Sequence, residues 1–243
     1  MSALAPLLDL ADVATALDGA RAYVDAALRH RALRRSGGPV AAEIGLRSAV
    51  ASAALEGHPH DREEVRSGTV TDPVLQGALR ASGALDGLVP TWRRAPRQVL
   101  AKLHVLTASD VVAPDLLGRP TADPTVAARL DTLARLVVDD DAPALLLAAV
   151  VHGELLALRP FEGTNGVVAR AAARLCLIAR GLDPRGLLAV DVGHLAREPE
   201  YVGAAGAFAT GTPDGLRSWL RHYAEAVRLA AAEIGAVGDA LLS

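Results

Sequence analysis

A short segment in the second half of the chain contains the residue types of an anion-binding site. Arg159 stands at the start of a loop, and the helix expected to follow begins near Asn165 and Gly166. The first N–H groups of such a helix have no partners within it and, with the helix dipole, attract anions. Arg170 and Arg174 are four residues apart and share one face of that helix. These residues predict a ligand carrying phosphate or carboxylate; the alternative is that the arginines are simply solvated.

The elements that position this loop are predicted to be helices. Ala, Leu, Arg and Glu dominate the chain, and clusters of β-branched and aromatic residues are scarce. We predict one all-α domain, with a short hairpin or irregular flap in the proline-rich stretch from Ser109 to Pro124. The predicted helices are 10–32, 40–56, 61–67, 72–87, 93–108, 123–138, 142–158, 165–180, 198–209 and 213–240.

The overall composition excludes several classes of protein. The 243 residues are 51% hydrophobic with a net charge of −3, which argues against disorder and against nucleic-acid binding. The longest apolar run, Ala144–Val151, is far shorter than the roughly 20 residues that span a membrane. No signal peptide is evident, and a cytoplasmic location fits these features. Cys176, the single cysteine, cannot form an intramolecular disulfide or a cysteine-based zinc site, and we expect it in the core.

Other polar residues give weaker indications. His58, His60 and Asp61 lie close together, but two spaced histidines in a turn more often indicate exposed side chains than a metal site. The sequence identifies no partner for His194 or His222. The C-terminal helix carries apolar residues at helical spacing, which predicts a face turned to the core or to a second copy in a homodimer.

The order of residues in the loop resembles the active-site loop of the Fic/Doc (Fido) family. That family's pattern is His-Pro-Phe-x-acid-Gly-Asn-Gly-Arg-x-x-Arg, between two helices of an all-α domain. Pro160, Phe161, Asn165, Gly166 and Arg170 match the pattern. The resemblance implies a Fic-like fold with phosphate-binding residues in this loop.

The loop also departs from the family pattern. Arg159 stands in place of the catalytic His, and Gly163 stands in place of the acid that binds Mg²⁺. Thr164 and Val167 replace the first loop Gly and the first Arg. Glu162 falls on the unrestricted position, one residue from the place of the acid.

A second motif, running from Ser52 through Glu56 to Gly57, resembles the family's inhibitory helix, whose pattern is Ser/Thr-x-x-x-Glu-Gly/Asn. It precedes the core of the domain, as in Fic proteins with a fused inhibitory helix. We therefore predict a Fic-like domain at 40–243, preceded by an N-terminal helix and linker at 1–39, of which the resemblance does not explain the first 35 residues.

The inhibitory motif implies a specific contact. In the family, its Glu pairs with the second Arg of the loop and blocks the γ-phosphate of the nucleotide. The resemblance therefore predicts a partly buried ion pair between Glu56 and Arg170, whereas the alternative is that Glu56 only caps a surface helix. His152 lies in the helix before the loop, where family members often carry a His.

The departures decide which chemistry is expected. In family members that transfer AMP, the loop His deprotonates the target hydroxyl and the acid binds Mg²⁺. Arg159 stays protonated and cannot act as a base, so neither ordinary AMP transfer nor Mg²⁺ is expected. The first hypothesis is a catalytically degenerate protein that binds a nucleotide, another anion or a protein partner in a regulatory role. The alternatives are a transferase that uses Glu162, His152 or a substrate group, and a purely structural interaction module.

Overall fold

The computed structural model describes residues 2–242, which form twelve α-helices, two short 3-10 helices at Ala5–Asp9 and Pro114–Leu116, and no strand. The predicted all-α fold is therefore confirmed. The α-helices are α1 (Val13–Ala27), α2 (Ala32–Arg35), α3 (Gly37–Ala54), α4 (Arg62–Arg66), α5 (Pro73–Trp92), α6 (Pro96–Ala108), α7 (Pro124–Asp139), α8 (Ala144–Leu158), α9 (Asn165–Ala179), α10 (Val190–Ala196), α11 (Glu198–Ala209) and α12 (Pro213–Ala240).

Helices α8 and α9 form the centre of the molecule, and the loop of interest joins them. Helix α8 is buried from Leu145 to Gly153, and α9 is buried from Asn165 to Ile178. A helix that is apolar on every face must be surrounded by other elements. Cys176 lies in this core as expected, and burial raises the pKa of its thiol to about 12. Within residues 2–242, no helix is both long and apolar enough to cross a membrane.

The N-terminal helix α1 packs along α12, and its buried side chains belong to the same hydrophobic core as α8 and α9. Trp219 of α12 donates its ring N–H to the carbonyl oxygen of Ala149 in α8 at 2.7 Å, which ties α12 to the centre. The division into 1–39 and 40–243 stays a prediction; in the structure, α3 begins at Gly37.

The stretch between α6 and α7 forms an irregular segment with one 3-10 turn rather than a hairpin. It is held against the loop between α8 and α9, because the N–H of Thr121 donates to the carbonyl oxygen of Pro160 at 2.8 Å. This segment therefore packs against the loop between α8 and α9.

The sequence pattern does not predict α10, and the structure explains why. This helix contains Gly193, a residue that lowers helix propensity by about 1 kcal/mol. A Cβ atom at Gly193 would lie 2.1 Å from the carbonyl oxygen of Ala226 in α12. The glycine is therefore needed for the close approach of two backbones, and tertiary packing outweighs local preference.

A candidate anion-binding site at the start of α9

A cavity of about 500 Å³ lies between the end of α3, the end of α8, the start of α9 and one face of α11. Its polar lining includes Glu56, Arg159, Arg170 and Tyr201, and small or aliphatic residues of α8 and α11 complete its wall. We call the four residues Glu56, Arg159, Gly166 and Arg170 the anion cradle. The structure therefore brings most of the predicted ligand-binding and inhibitory residues to one place.

Backbone conformation shapes the loop. Arg159 and Thr164 adopt left-handed conformations, with φ of 46° and 44°. Asn165 closes the loop between them, since its side-chain N–H donates to the carbonyl oxygen of Phe161 at 2.6 Å and its Oδ1 accepts from the N–H of Phe161 at 3.0 Å. Asn165 thus uses its amide on the loop itself, and its structural role is to hold the turn.

His104 of α6 supports the same loop, a role that no spacing in the sequence predicts. Its Nδ1 accepts from the N–H of Gly118 at 2.9 Å, so the proton is on Nε2, which donates to the carbonyl oxygen of Glu162 at 2.8 Å. The ring stacks on Phe161 with centroids 4.5 Å apart. Burial lowers the pKa of His104. The neutral ring can therefore accept one hydrogen bond and donate another.

Arg170 is the most completely bound charged residue of the site. Its guanidinium donates to the side chain and carbonyl oxygen of Ser52, each at 2.9 Å, and to the hydroxyl of Tyr201 at 3.2 Å. It also contacts Glu56 at 2.8 Å and Asp191 at 3.5 Å. Burial by itself lowers the pKa of Arg170, but Tyr201 and the two carboxylates outweigh it and raise that pKa. The predicted ion pair with Glu56 is formed, and it is partly buried.

The carboxylate of Glu56 lies against the first turn of α9. A Cβ atom at Gly166 would lie 1.9 Å from Oε1 of Glu56, so only glycine leaves room for this contact. The start of a helix favours a negative charge. Gly57, with φ of 88°, turns the chain directly after Glu56. The chain therefore places its own carboxylate where an anionic ligand is expected.

Arg174 does not join the cradle. Its guanidinium donates to the hydroxyls of Ser48 at 2.9 Å and Ser82 at 3.2 Å, and to the carbonyl oxygen of Gly186 at 3.0 Å. These partners lie on α3, on α5 and after α9, away from the cavity. The expectation that three arginines surround one anion is therefore corrected to two, Arg159 and Arg170. The four-residue spacing correctly places the two arginines on one face of the helix. It does not predict which neighbouring element each side chain contacts.

Neither of the two weak candidates for catalysis lines the cavity. His152 is fully buried, and its Nε2 is 3.0 Å from the hydroxyl of Tyr201. Burial, with the nearby charge of Arg170, holds its pKa well below the usual value. Glu162 is exposed, and the cavity lining does not include it.

The donor set does not fit a divalent metal ion. The family's acid position is Gly163, which has no side chain to coordinate one. Within residues 2–242, no three His, Cys, Asp or Glu side chains are grouped so that they could hold a metal. Val167, at the place of the family's first Arg, is buried in an apolar cluster with Ala53 and Leu75. That position has become part of the packing between α9, α3 and α5.

Neither a scan of protein-family models nor a search of curated proteins gives a match for this sequence. Solved structures do match. A Fic family protein from Desulfovibrio desulfuricans has a TM-score of 0.72 at 20% identity, over 90% of this chain and 73% of that chain. Fic-1 from C. elegans has a TM-score of 0.74 at 20% identity, over 97% and 76%. A Fic-1 variant gives 0.75 at 19% identity, over the same shares. This chain therefore has the fold of Fic proteins, in agreement with the resemblance of its loop.

Proposed function

We propose that this protein is a divergent Fic protein that binds a phosphate- or carboxylate-bearing ligand, such as a nucleotide, in a regulatory role and without AMP transfer. The observation that carries the proposal is the carboxylate of Glu56, held between Gly166 and Arg170 at the start of α9. A site that stabilises an internal carboxylate has the donors and the charge to stabilise an external anion.

Exchange of Glu56 for a ligand is favoured by the surroundings of Arg170. The side chain of Glu56 is 25% exposed, so it can leave the cradle into solvent. Asp191 is only 3% exposed and stays beside Arg170 after Glu56 has left. Arg159, which is exposed at the cavity and forms no ion pair within the described residues, supplies a second cation for the ligand.

The residues of the cradle do not support proton abstraction. Arg159 is protonated at any ordinary pH and cannot accept a proton from a hydroxyl. His152 is hydrogen-bonded inside the core and does not line the cavity. Loss of a general base alone typically lowers a rate by about 10²–10⁴. Binding without group transfer is the function that this set of residues supports best.

Calorimetry of the full chain with ATP, ADP and pyrophosphate, each with and without Mg²⁺, tests the proposal. We expect binding that does not need Mg²⁺, that weakens about tenfold in Arg159→Gln, and that tightens in Glu56→Gln. Arg94→Gln, which removes an exposed charge outside the cavity, is the matched control and should bind like the wild type. The proposal is wrong if neither the wild type nor Glu56→Gln binds any of these anions.

Intact-mass measurement separates binding from group transfer. After incubation with ATP and Mg²⁺, alone and with a mixture of candidate target proteins, we expect no added nucleotide or phosphate on the chain or on the targets. A mass increase that disappears in Glu162→Gln or His152→Gln would instead establish the transferase of altered mechanism. If the protein binds no anion and modifies no target, the cavity is only part of a structural interaction module.

A further inference from the structure

A second and larger cavity lies on another side of the molecule and is not part of the cradle. It is a groove of about 740 Å³ between α1, α11 and α12. Its floor is built from small residues, among them Gly19 and Ala20 of α1 and Gly203 and Ala204 of α11. Because these side chains are short, the helices leave a depression deep enough for a small organic molecule.

The rim of this groove is basic, although the chain as a whole has a net charge of −3. The lining contains four arginines and two glutamates, an excess of two positive charges. The arginines of this arginine groove are Arg197, Arg217, Arg221 and Arg228. A positive depression in an acidic protein attracts anions to one place.

Three of these arginines already have carboxylate partners. Arg197 holds Glu200 with two hydrogen bonds of 2.7 and 2.6 Å, and Arg228 holds Glu225 with two of 2.8 and 2.7 Å. Arg217 contacts Asp12 at 2.9 Å. Two of the three pairs have the forked geometry with which arginine binds a carboxylate, and partly exposed pairs of this kind exchange at little cost.

Arg221 differs from the other three arginines of the groove. It is exposed, it lines the groove, and it makes no hydrogen bond or ion pair with residues 2–242. It lies next to His222 in the sequence, and both line the same cavity. A ligand anion at this point would not have to displace any internal partner.

His222 supplies an independent indication of a ligand. It is only 7% exposed, and its Nε2 is 3.0 Å from Nδ1 of His194. Its buried Nδ1 has no hydrogen-bond partner among the residues that the structure describes. A buried polar atom without a partner is costly, and in native structures it usually has an unseen partner. When His194 donates to His222, Nδ1 of His222 carries a proton and needs an acceptor.

The charged groups that act on His222 lie on α11, on α12 and at Arg197, just before α11. Burial lowers the pKa of its imidazole to about 4, with Glu200 and Glu225 acting in the opposite direction and Arg197 in the same one. Tyr23 of α1, with Arg228 above its ring, faces the groove from the opposite side. The ring is therefore neutral near pH 7.

We propose that the arginine groove is a second ligand site, which binds a small organic anion with its carboxylate or phosphate group between Arg221 and His222. The small-residue floor holds the body of the ligand. The site is separate from the cradle, so this proposal stands independently of the proposed function.

The test is a titration of the full chain with citrate and with pyrophosphate at constant ionic strength, followed by the NMR signal of the His222 ring. We expect a saturable shift of this signal and, with the probe bound, a His222 titration moved to higher pH because an anion favours the charged imidazole. Arg221→Gln should weaken binding about tenfold or more, whereas Arg94→Gln and Arg159→Gln should leave it unchanged.

The two probes distinguish the sources of the anion. A response to citrate alone assigns the site to carboxylates, a response to pyrophosphate alone assigns it to phosphates, and a response to both assigns it to either group. The proposal is overturned if the His222 signal does not move with either probe. It is also overturned if Arg94→Gln weakens binding as much as Arg221→Gln, because the effect would then be one of general surface charge.

Discussion

The anion cradle and the arginine groove differ in how their arginines are buried and paired. Arg170 of the cradle is 3% exposed and is bound by two carboxylates, two serine oxygens and a tyrosine hydroxyl. Arg221 of the groove is exposed and has no internal partner within the described residues. The first guanidinium is part of the folded structure, whereas the second is available to a ligand without rearrangement.

We therefore expect Arg170 to contribute mainly to the stability of the fold and Arg221 mainly to ligand binding. A buried charge must keep its partners, because an uncompensated charge in the interior costs several kcal/mol. An exposed charge contributes little to stability, so its removal should change ligand binding and leave the free energy of unfolding almost unchanged. Matched substitutions in the two cavities should therefore give opposite results in unfolding and in binding measurements.

The largest effect is expected at Arg170. Arg170→Met keeps most of the side-chain volume but leaves Asp191 and Glu56 without their cation, and the free energy of unfolding should fall by about 3–5 kcal/mol. Arg221→Met in the groove should change it by less than about 0.5 kcal/mol. Urea unfolding of both variants measures the difference. Equal values would show that the burial of Arg170 has no energetic consequence.

The pH dependence tests the histidines that lie between the two cavities. Burial keeps the pKa of His152, His194 and His222 low in the folded chain, the last at about 4. Between about pH 6.5 and pH 4 the unfolded chain binds more protons at these sites, so stability should fall as pH falls, by up to about 1.4 kcal/mol per pH unit for each histidine. Asp183, whose pKa burial raises to about 6, acts in the opposite direction.

Urea unfolding at a series of pH values measures this slope. His222→Gln should reduce this slope by the contribution of one histidine. Citrate bound in the groove should reduce the contribution of His222 in the wild type. Asp183→Asn should make the slope steeper, since it removes a group that acts in the opposite direction. An unchanged slope in His222→Gln would contradict the low pKa of His222 in the folded chain.

A smaller difference is expected between two glutamates. Glu56→Gln leaves Arg170 with Asp191, so the free energy of unfolding should fall by about 1–2 kcal/mol rather than by the full value of a buried pair. Glu225→Gln in the groove removes a partly exposed pair with Arg228, which is itself far less buried than Arg170, and should cost about 0–1 kcal/mol. Thermal unfolding of the two variants compares them directly. A wild-type melting temperature in Glu56→Gln would show that the ion pair does not stabilise the fold.

The smallest effect concerns the backbone and has opposite signs in the two regions. Arg159 has φ of 46°, a conformation that glycine adopts without strain, so Arg159→Gly should stabilise the chain by about 0.5–1 kcal/mol. Arg221 lies inside α12, where Arg221→Gly should destabilise it by about 1 kcal/mol. Denaturation midpoints measure both. Destabilisation in Arg159→Gly would mean that the arginine side chain contributes more than the strain removes.

Local patterns in the sequence are enough to predict much of the fold. Helix formers and turn residues predict α11 and α12 at the bounds that the structure has, and α9 to within one residue. The order of residues between Pro160 and Arg170 predicts the loop, and the motif ending at Gly57 predicts the ion pair of Glu56. These features depend on residues close together in the chain or on an order that a family shares.

The remaining parts of the site depend on contacts between distant elements. His104 meets the loop only after α6 has packed against α9, and Asp191 reaches Arg170 from a helix that the sequence does not predict. Arg174 turns to Ser48 and Ser82 because α3 and α5 pack on its side of α9. No spacing along the chain predicts such partners. The structure was therefore needed to show that only Arg159 and Arg170, and not Arg174, lie at the cavity.

If the cradle binds an external anion as proposed, the position of Glu56 also sets the concentration range over which it does so. The carboxylate is attached to the same chain as Arg170, so it competes with any external anion at a local concentration that does not depend on the amount of protein. The apparent dissociation constant is the intrinsic one divided by the fraction of molecules from which Glu56 has withdrawn; if that fraction is about 1%, the affinity falls about a hundredfold. Under the proposed function, such a protein would bind its ligand only when that ligand is abundant. Any change in how firmly the end of α3 is held would then shift this threshold.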